Sequence, residues 1–193
     1  MPAMPEMTRY LQDWQFDPGD TAAAEQLARL TYRQLRRIAQ ARLQREASRP
    51  FTPTELVHEA WLNLKPGGKI LAGRDQFFKL ASTVMRNLLV DHARERLAAK
   101  RGGRQQRVTL SLAENEQEFS DERLLDLDQA LNRMAESHPR HVKVVTLRCF
   151  GGLQLDEVAA ALDVSRATIK RDWTFACAWL ADALEHKGSR NVD

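Results

Sequence analysis

"LQLDEVAAALDVSRATIKRDWTFACAWL", residues 153–180, decides how the chain is read. Its apolar residues return every three or four positions, the period of a helix face and not of a strand. Val158, Ala159 and Leu162 mark a short first helix that Asp156 is placed to cap, and Asp163-Val164 makes a turn. Ser165 then caps a second helix, on which Ile169, Trp173, Ala176 and Leu180 form the inward stripe. Small Ala159 lets the two helices cross closely. The spacing predicts a helix-turn-helix whose second helix offers Arg166, Ala167, Lys170 and Arg171 to a major groove. Asp163 stands where glycine is common, but aspartate tolerates a left-handed backbone. Asp172 would put a negative charge near DNA and weaken an electrostatic contact. The rival reading is a plain αα-hairpin in a helical core. The coincidence of cap, turn, small residue and register weighs against it.

The same period governs the rest of the chain. No period-two strand and no internal repeat is found, so the fold class is all-α. Asp20-Thr21 could cap a helix through about Glu46, with Leu27, Leu30, Leu35 and Ile38 facing a core. Thr52, Pro53 and Glu55 make a good N-terminus for a helix to about Leu64, with Leu56, Val57, Ala60, Trp61 and Leu64 on one stripe. A third helix, about Asp75 to Ala99, carries Phe77, Phe78, Leu80, Val84, Leu88 and Leu89. Leu124, Leu127, Leu131 and Met134 mark the next, and Val142, Val145 and Leu147 another that Gly151-Gly152 closes. The expected organisation is a loose N-terminus (1–19), a helical domain (20–103), a linker (104–120), a second helical domain (121–187) and a tail (188–193).

The chain has 193 residues, 43% of them hydrophobic, enough for compact cores. No run approaches a membrane span, and the start is no signal peptide, so a cytoplasmic protein with no membrane partner is expected. Cys149 and Cys177 then read as buried small side chains of a reducing cytosol, not as a disulfide. The net charge is only +3, but it is segregated. Residues 86–107 carry seven cations against two acids, a net +5, while 114–128 carry seven acids against one arginine, a net −6. Both runs could be solvated faces; their adjacency also suits a domain boundary near 103–120. Catalysis finds little support. No Gly-rich phosphate loop or nucleophile motif appears, and His138 and His141 lack the Cys or carboxylate companions of a metal site. No enzyme activity, metal or cofactor is expected.

A basic aromatic helix, an acidic linker and a C-terminal helix-turn-helix together resemble the extracytoplasmic-function (ECF) sigma factors of bacterial RNA polymerase. The motifs are "ELVHEAWLNL" (55–64), "FFKLASTVMRNLLVDHARERLAAKRGG" (77–103) and the helix-turn-helix, within about residues 20–185. The resemblance implies two partners, core RNA polymerase and promoter DNA. Domain one would bind the polymerase clamp through Glu55, His58, Glu59 and Trp61 and melt the minus-ten element, and domain two would read the minus-thirty-five element. Arg74, in the loop 73–76, would contact DNA, and Phe77 and Phe78 just after that loop match the family's aromatic pair beside a flipped-out base, unless they are core. Asn87 falls where the family contacts a base. Arg86, Arg94, Arg96, Lys100 and Arg101 would hold phosphates. The acidic linker would thread the RNA channel or serve only as a soluble tether.

In one place the chain departs from that pattern. Where "TPTELV" (52–57) stands, the family usually carries an acidic run facing clamp arginines, and Thr52 and Thr54 occupy two of its places. A phosphothreonine carries about −1.5 to −2 charge, so a Ser/Thr protein kinase acting on Thr52, Thr54 or both would restore the missing acids. Alternatively, Arg42, Arg45 and Arg49 would capture the phosphate within the chain, or Thr52 is only an N-cap and Thr54 a solvent-facing neighbour. The rival function is an autonomous helix-turn-helix regulator, against which the second, basic and aromatic helix argues.

Overall fold

Pro53 at the first helical position and the stripe behind it form α1, Pro53–Asn63. In the computed structural model the described residues are 9–13, 22–23, 25–29, 31–32, 53–64, 73–102 and 120–188. All are helical or in short turns, none is in a strand, and the chain is all-α as its periodicity requires. Leu56, Val57, Ala60 and Leu64 are buried, while Trp61 is partly so. The long basic helix is α2, Arg74–Gly102, a few residues longer at its C-terminal end than its apolar pattern predicts. Four further helices follow. They are α3 (Asp121–Ser137), α4 (Pro139–Cys149), α5 (Leu155–Leu162) and α6 (Arg166–Gly188).

Each helix starts and stops for a local reason. Ser120 accepts from the Arg123 N–H to cap α3, and Pro139 opens α4. After Phe150 the chain turns through Gly152, whose φ of 63° belongs to the left-handed region glycine favours. Gly151 answers a different demand. A Cβ there would collide with the Ser82 hydroxyl of α2 and lie 2.5 Å from the Leu147 carbonyl. Ser82 is held in place by donating to the Phe78 carbonyl at 2.5 Å.

That contact belongs to a larger one. α2 packs on α1 along one side and on α3, α4 and α5 along another. The buried apolar residues form one cluster, from Leu11 and Leu27 through Phe77, Met85, Leu131 and Phe150 to Ile169 and Leu180. Two expectations need correction. Residues 9–13, read as a loose start, are helical and bury Leu11 completely, with Tyr10 packed beside it against the core. Cys177, read as buried, is exposed, one position past the inward Ala176, while Cys149 is half-buried. Leu30, Leu35, Ile38 and the linker stretch 104–119 lie outside the described residues.

Candidate nucleic-acid and polymerase surfaces

The stretch 153–180 folds as α5, a turn and α6. α5 begins two residues earlier than its pattern suggests: Gln154, not Asp156, is the N-cap, and the Gln154 N–H donates to Glu157 Oε2 at 2.8 Å in a capping box. Asp156 sits inside the first turn, where its exposed carboxylate meets Arg166 Nε at 2.6 Å. Asp163 adopts φ 54° and ψ 49°, the left-handed conformation that an Asx side chain tolerates. The Val164 N–H returns to the Ala159 carbonyl at 3.1 Å. Ser165 Oγ accepts from the Thr168 N–H at 3.1 Å and so caps α6. Ile169, Ala176 and Leu180 are buried; Trp173 is partly so, with the Arg148 guanidinium 4.7 Å over its ring. Arg166, Ala167, Lys170 and Arg171 all face solvent.

Asp172 does not face DNA. It is 5% exposed, and Arg140 of α4 donates to both its oxygens, at 2.7 and 3.0 Å. The register explains the placing: Asp172 lies three residues after Ile169 and four before Ala176, on the inward side. The pair clamps α6 to α4 and removes the repulsion expected of a carboxylate in the groove. Beside it, His141 Nε2 lies 3.5 Å from Asp172, and the rings of His138, His141 and Phe175 stack within 4.6–5.3 Å of one another. Burial holds the His141 imidazole below its ordinary 6.5, despite the pull of Asp172, with His138 and Arg140 pushing the same way as burial. The unfolded chain therefore takes up more protons on acidification than the folded one. The stability that a neutral His141 contributes is present above about pH 6.5 and is lost as pH falls through the depressed folded value. Melting temperatures between pH 7.5 and 5.5 should fall with pH in the wild type and fall less in His141→Phe.

On α2 the arginines expected to contact DNA are engaged by acids from the second half of the chain. Arg74 donates to Glu157 of α5 at 2.7 Å and lies 4.9 Å over the Phe78 ring. Arg86 Nε donates to Asp128 of α3 at 2.9 Å, and its Nη2 reaches Asn132 Oδ1 at 2.8 Å. Arg94 lies 3.0 Å from Asp91 and 3.6 Å from Asp128. Arg96 makes a two-pronged pair with Asp121, the first residue of α3. Asn87 is exposed. Lys100 and Arg101 continue the helix; their side chains lie outside the described residues. Phe77 and Phe78 are both buried, at 0% and 3% exposure, and meet edge to face with ring centres 5.5 Å apart. Neither ring is open to a base in this arrangement.

On α1, Glu55 and His58 face solvent. Glu59 accepts or shares a proton with His92 Nε2 of α2 at 2.9 Å, and Trp61 leans on Phe77 with ring centres 6.2 Å apart. Leu62 is exposed beside them. Thr54 lies in the first turn of the helix, with its side chain outside the described residues, as are Thr52, Arg42, Arg45 and Arg49. Among the described residues no cluster of His, Cys, Asp or Glu could hold a metal ion, and no helix is long and apolar enough to cross a membrane.

The chain is all-α, with Arg166, Lys170 and Arg171 of α6 turned to solvent and a basic α2 whose two phenylalanines lie in the core. The ECF sigma factor family model matches residues 4–186, and the chain belongs to that family, whose members direct transcription initiation. No curated protein matches the chain.

Proposed function

We propose that α1 docks on the clamp of core RNA polymerase, α2 handles the minus-ten element and α5–α6 form a helix-turn-helix that reads the minus-thirty-five element, in the bacterial cytoplasm. Residues 20–103 and 121–187 are then the two working domains, and 104–120 tethers them. The observation that carries this is the division of α6. Ile169, Asp172, Ala176 and Leu180 face the core, whereas Arg166, Ala167, Lys170 and Arg171 face solvent at the helix's N-terminal end. A helix enters a major groove by that end, and arginine and lysine there suit guanine edges or phosphates.

Purified chain treated with a Ser/Thr kinase and added to core polymerase should yield promoter-dependent transcripts, and the chain alone should bind the same promoters weakly at physiological salt. Tight promoter footprints without polymerase, and no co-purification with it, would establish the autonomous-regulator reading instead.

The clamp-facing surface of α1 has Glu55 and Glu59 but threonines at 52 and 54. In this reading a Ser/Thr kinase modifies Thr52, Thr54 or both, and the phosphate supplies the negative charge that the polymerase contact requires. The start of a helix accommodates such charge. Mass spectrometry of protein from stimulated cells should show the modification, and kinase-treated protein should bind core polymerase more tightly than untreated protein. Full transcription from unmodified protein would rule the switch out.

A further inference from the structure

The acids of α3 and α5 sit on the arginines of α2, and the pairing is specific. Arg86 and Asp128 have side chains only 12% and 11% exposed, and Arg96 and Asp121 only 22% and 5%. These are ion pairs largely withdrawn from water, two-pronged in the case of Arg96 and Asp121, and salt screens them far less than surface pairs. Arg74 is tied to Glu157 in the same manner at a third point along the interface. Beneath them the apolar core is continuous from α2 into α4, and Gly151 fits against Ser82 where no side chain could. Two acids of the run 114–128, Asp121 and Asp128, thus meet three arginines of the run 86–107, Arg86, Arg94 and Arg96.

We propose that this is an autoinhibited closed state, in which the second half of the chain occupies the arginine face of α2 and excludes promoter DNA from it. The inference rests on the assignment of those arginines to DNA. DNA contact would use Arg74, Arg86, Arg94 and Arg96, and each already has a carboxylate partner from α3 or α5. Distance makes the two states exclusive. Elements centred roughly 25 base pairs apart at about 3.4 Å each lie about 85 Å apart. A compact chain of this length has a radius of gyration of only about 16 Å. The closed form cannot touch both elements. Extended, the stretch between Gly102 and Ser120 can reach about 60 Å, so release of α3–α6 from α2 lets each half find its element.

The test is small-angle scattering of the full wild-type chain, alone and with a fluorescein-labelled single-stranded oligonucleotide, beside the Asp121→Asn/Asp128→Asn double variant. The free wild type should be compact and should expand on binding the oligonucleotide. The variant should be expanded without DNA and bind the oligonucleotide at least about tenfold more tightly by anisotropy, since the replaced carboxylates were the competitors. An extended free wild type, or oligonucleotide binding without expansion, overturns the closed state. So does a folded variant with unchanged dimensions and affinity. If circular dichroism shows that the variant does not fold, the two wild-type scattering results decide. Core-dependent transcription by kinase-treated protein separates this from the functional reading: a compact chain that still yields no transcripts keeps the closed state and sinks the proposed roles of α1, α2 and α6, and an extended chain that transcribes fully does the reverse.

Discussion

Phe77→Ala is expected to lower folding stability by about 3–5 kcal/mol, the cost of emptying a buried aromatic site. Phe77 is completely buried between Trp61 of α1 and Phe78, so its ring joins the helix assigned to the clamp to the helix assigned to melting. That loss approaches the whole stability of a domain, which is typically about 5–15 kcal/mol. Urea denaturation should show the midpoint fall sharply, and a midpoint within experimental error of wild type would mean that the ring is not core. Phe77→Leu separates packing from base stacking. It keeps an apolar side chain in the site and should retain most of the stability, so a stable Leu variant that fails to open promoters would show that the ring itself stacks on a base during opening. Equal opening by both proteins would leave Phe77 as core alone.

The helices were legible because each carries a strong apolar period. The stripe on α1 and the Ile169–Ala176–Leu180 stripe on α6 are buried as their spacing requires. The left-handed Asp163 and the Ser165 cap were equally readable, since both follow from local chemistry. What the local pattern could not show was pairing across the chain. Asp172 looked like an outward acid because Arg140, its partner, is 32 residues away. Asp156 looked like a cap because the rival, Gln154, is a weaker capping residue, supported by its N–H donating to the Glu157 carboxylate. The acidic and basic runs were visible, but a run of charge does not name its counter-ion. Their adjacency suggested a boundary between domains, whereas Asp121 and Asp128 are buried against arginines on the other side of it. Long-range ion pairs are set by how helices pack, and packing direction is not written in any one helix's periodicity.

The recognition helix offers the sharpest contrast, because residues on its buried and its exposed face should fail in different ways. Ile169→Ala is expected to destabilise the protein by about 2–5 kcal/mol, since Ile169 is fully buried and α6 is held by few other large apolar side chains at that end. DNA reading would be lost with the fold. Arg166→Ala and Lys170→Ala should leave the denaturation midpoint nearly unchanged. Both side chains face solvent, and the Arg166–Asp156 pair joins two exposed groups, whose mutual attraction water largely screens. Upstream promoter recognition should nevertheless fall about five- to 150-fold, the equivalent of about 1–3 kcal/mol for a bidentate base contact. The two effects are read separately, by circular dichroism on the purified variants and by transcription from promoters with intact or scrambled minus-thirty-five elements. A side chain that reads bases loses its advantage on the intact element only, whereas one that holds phosphates weakens both alike. Normal transcription from the intact element by well-folded Arg166→Ala and Lys170→Ala proteins would move the DNA contact off the N-terminal turns of α6.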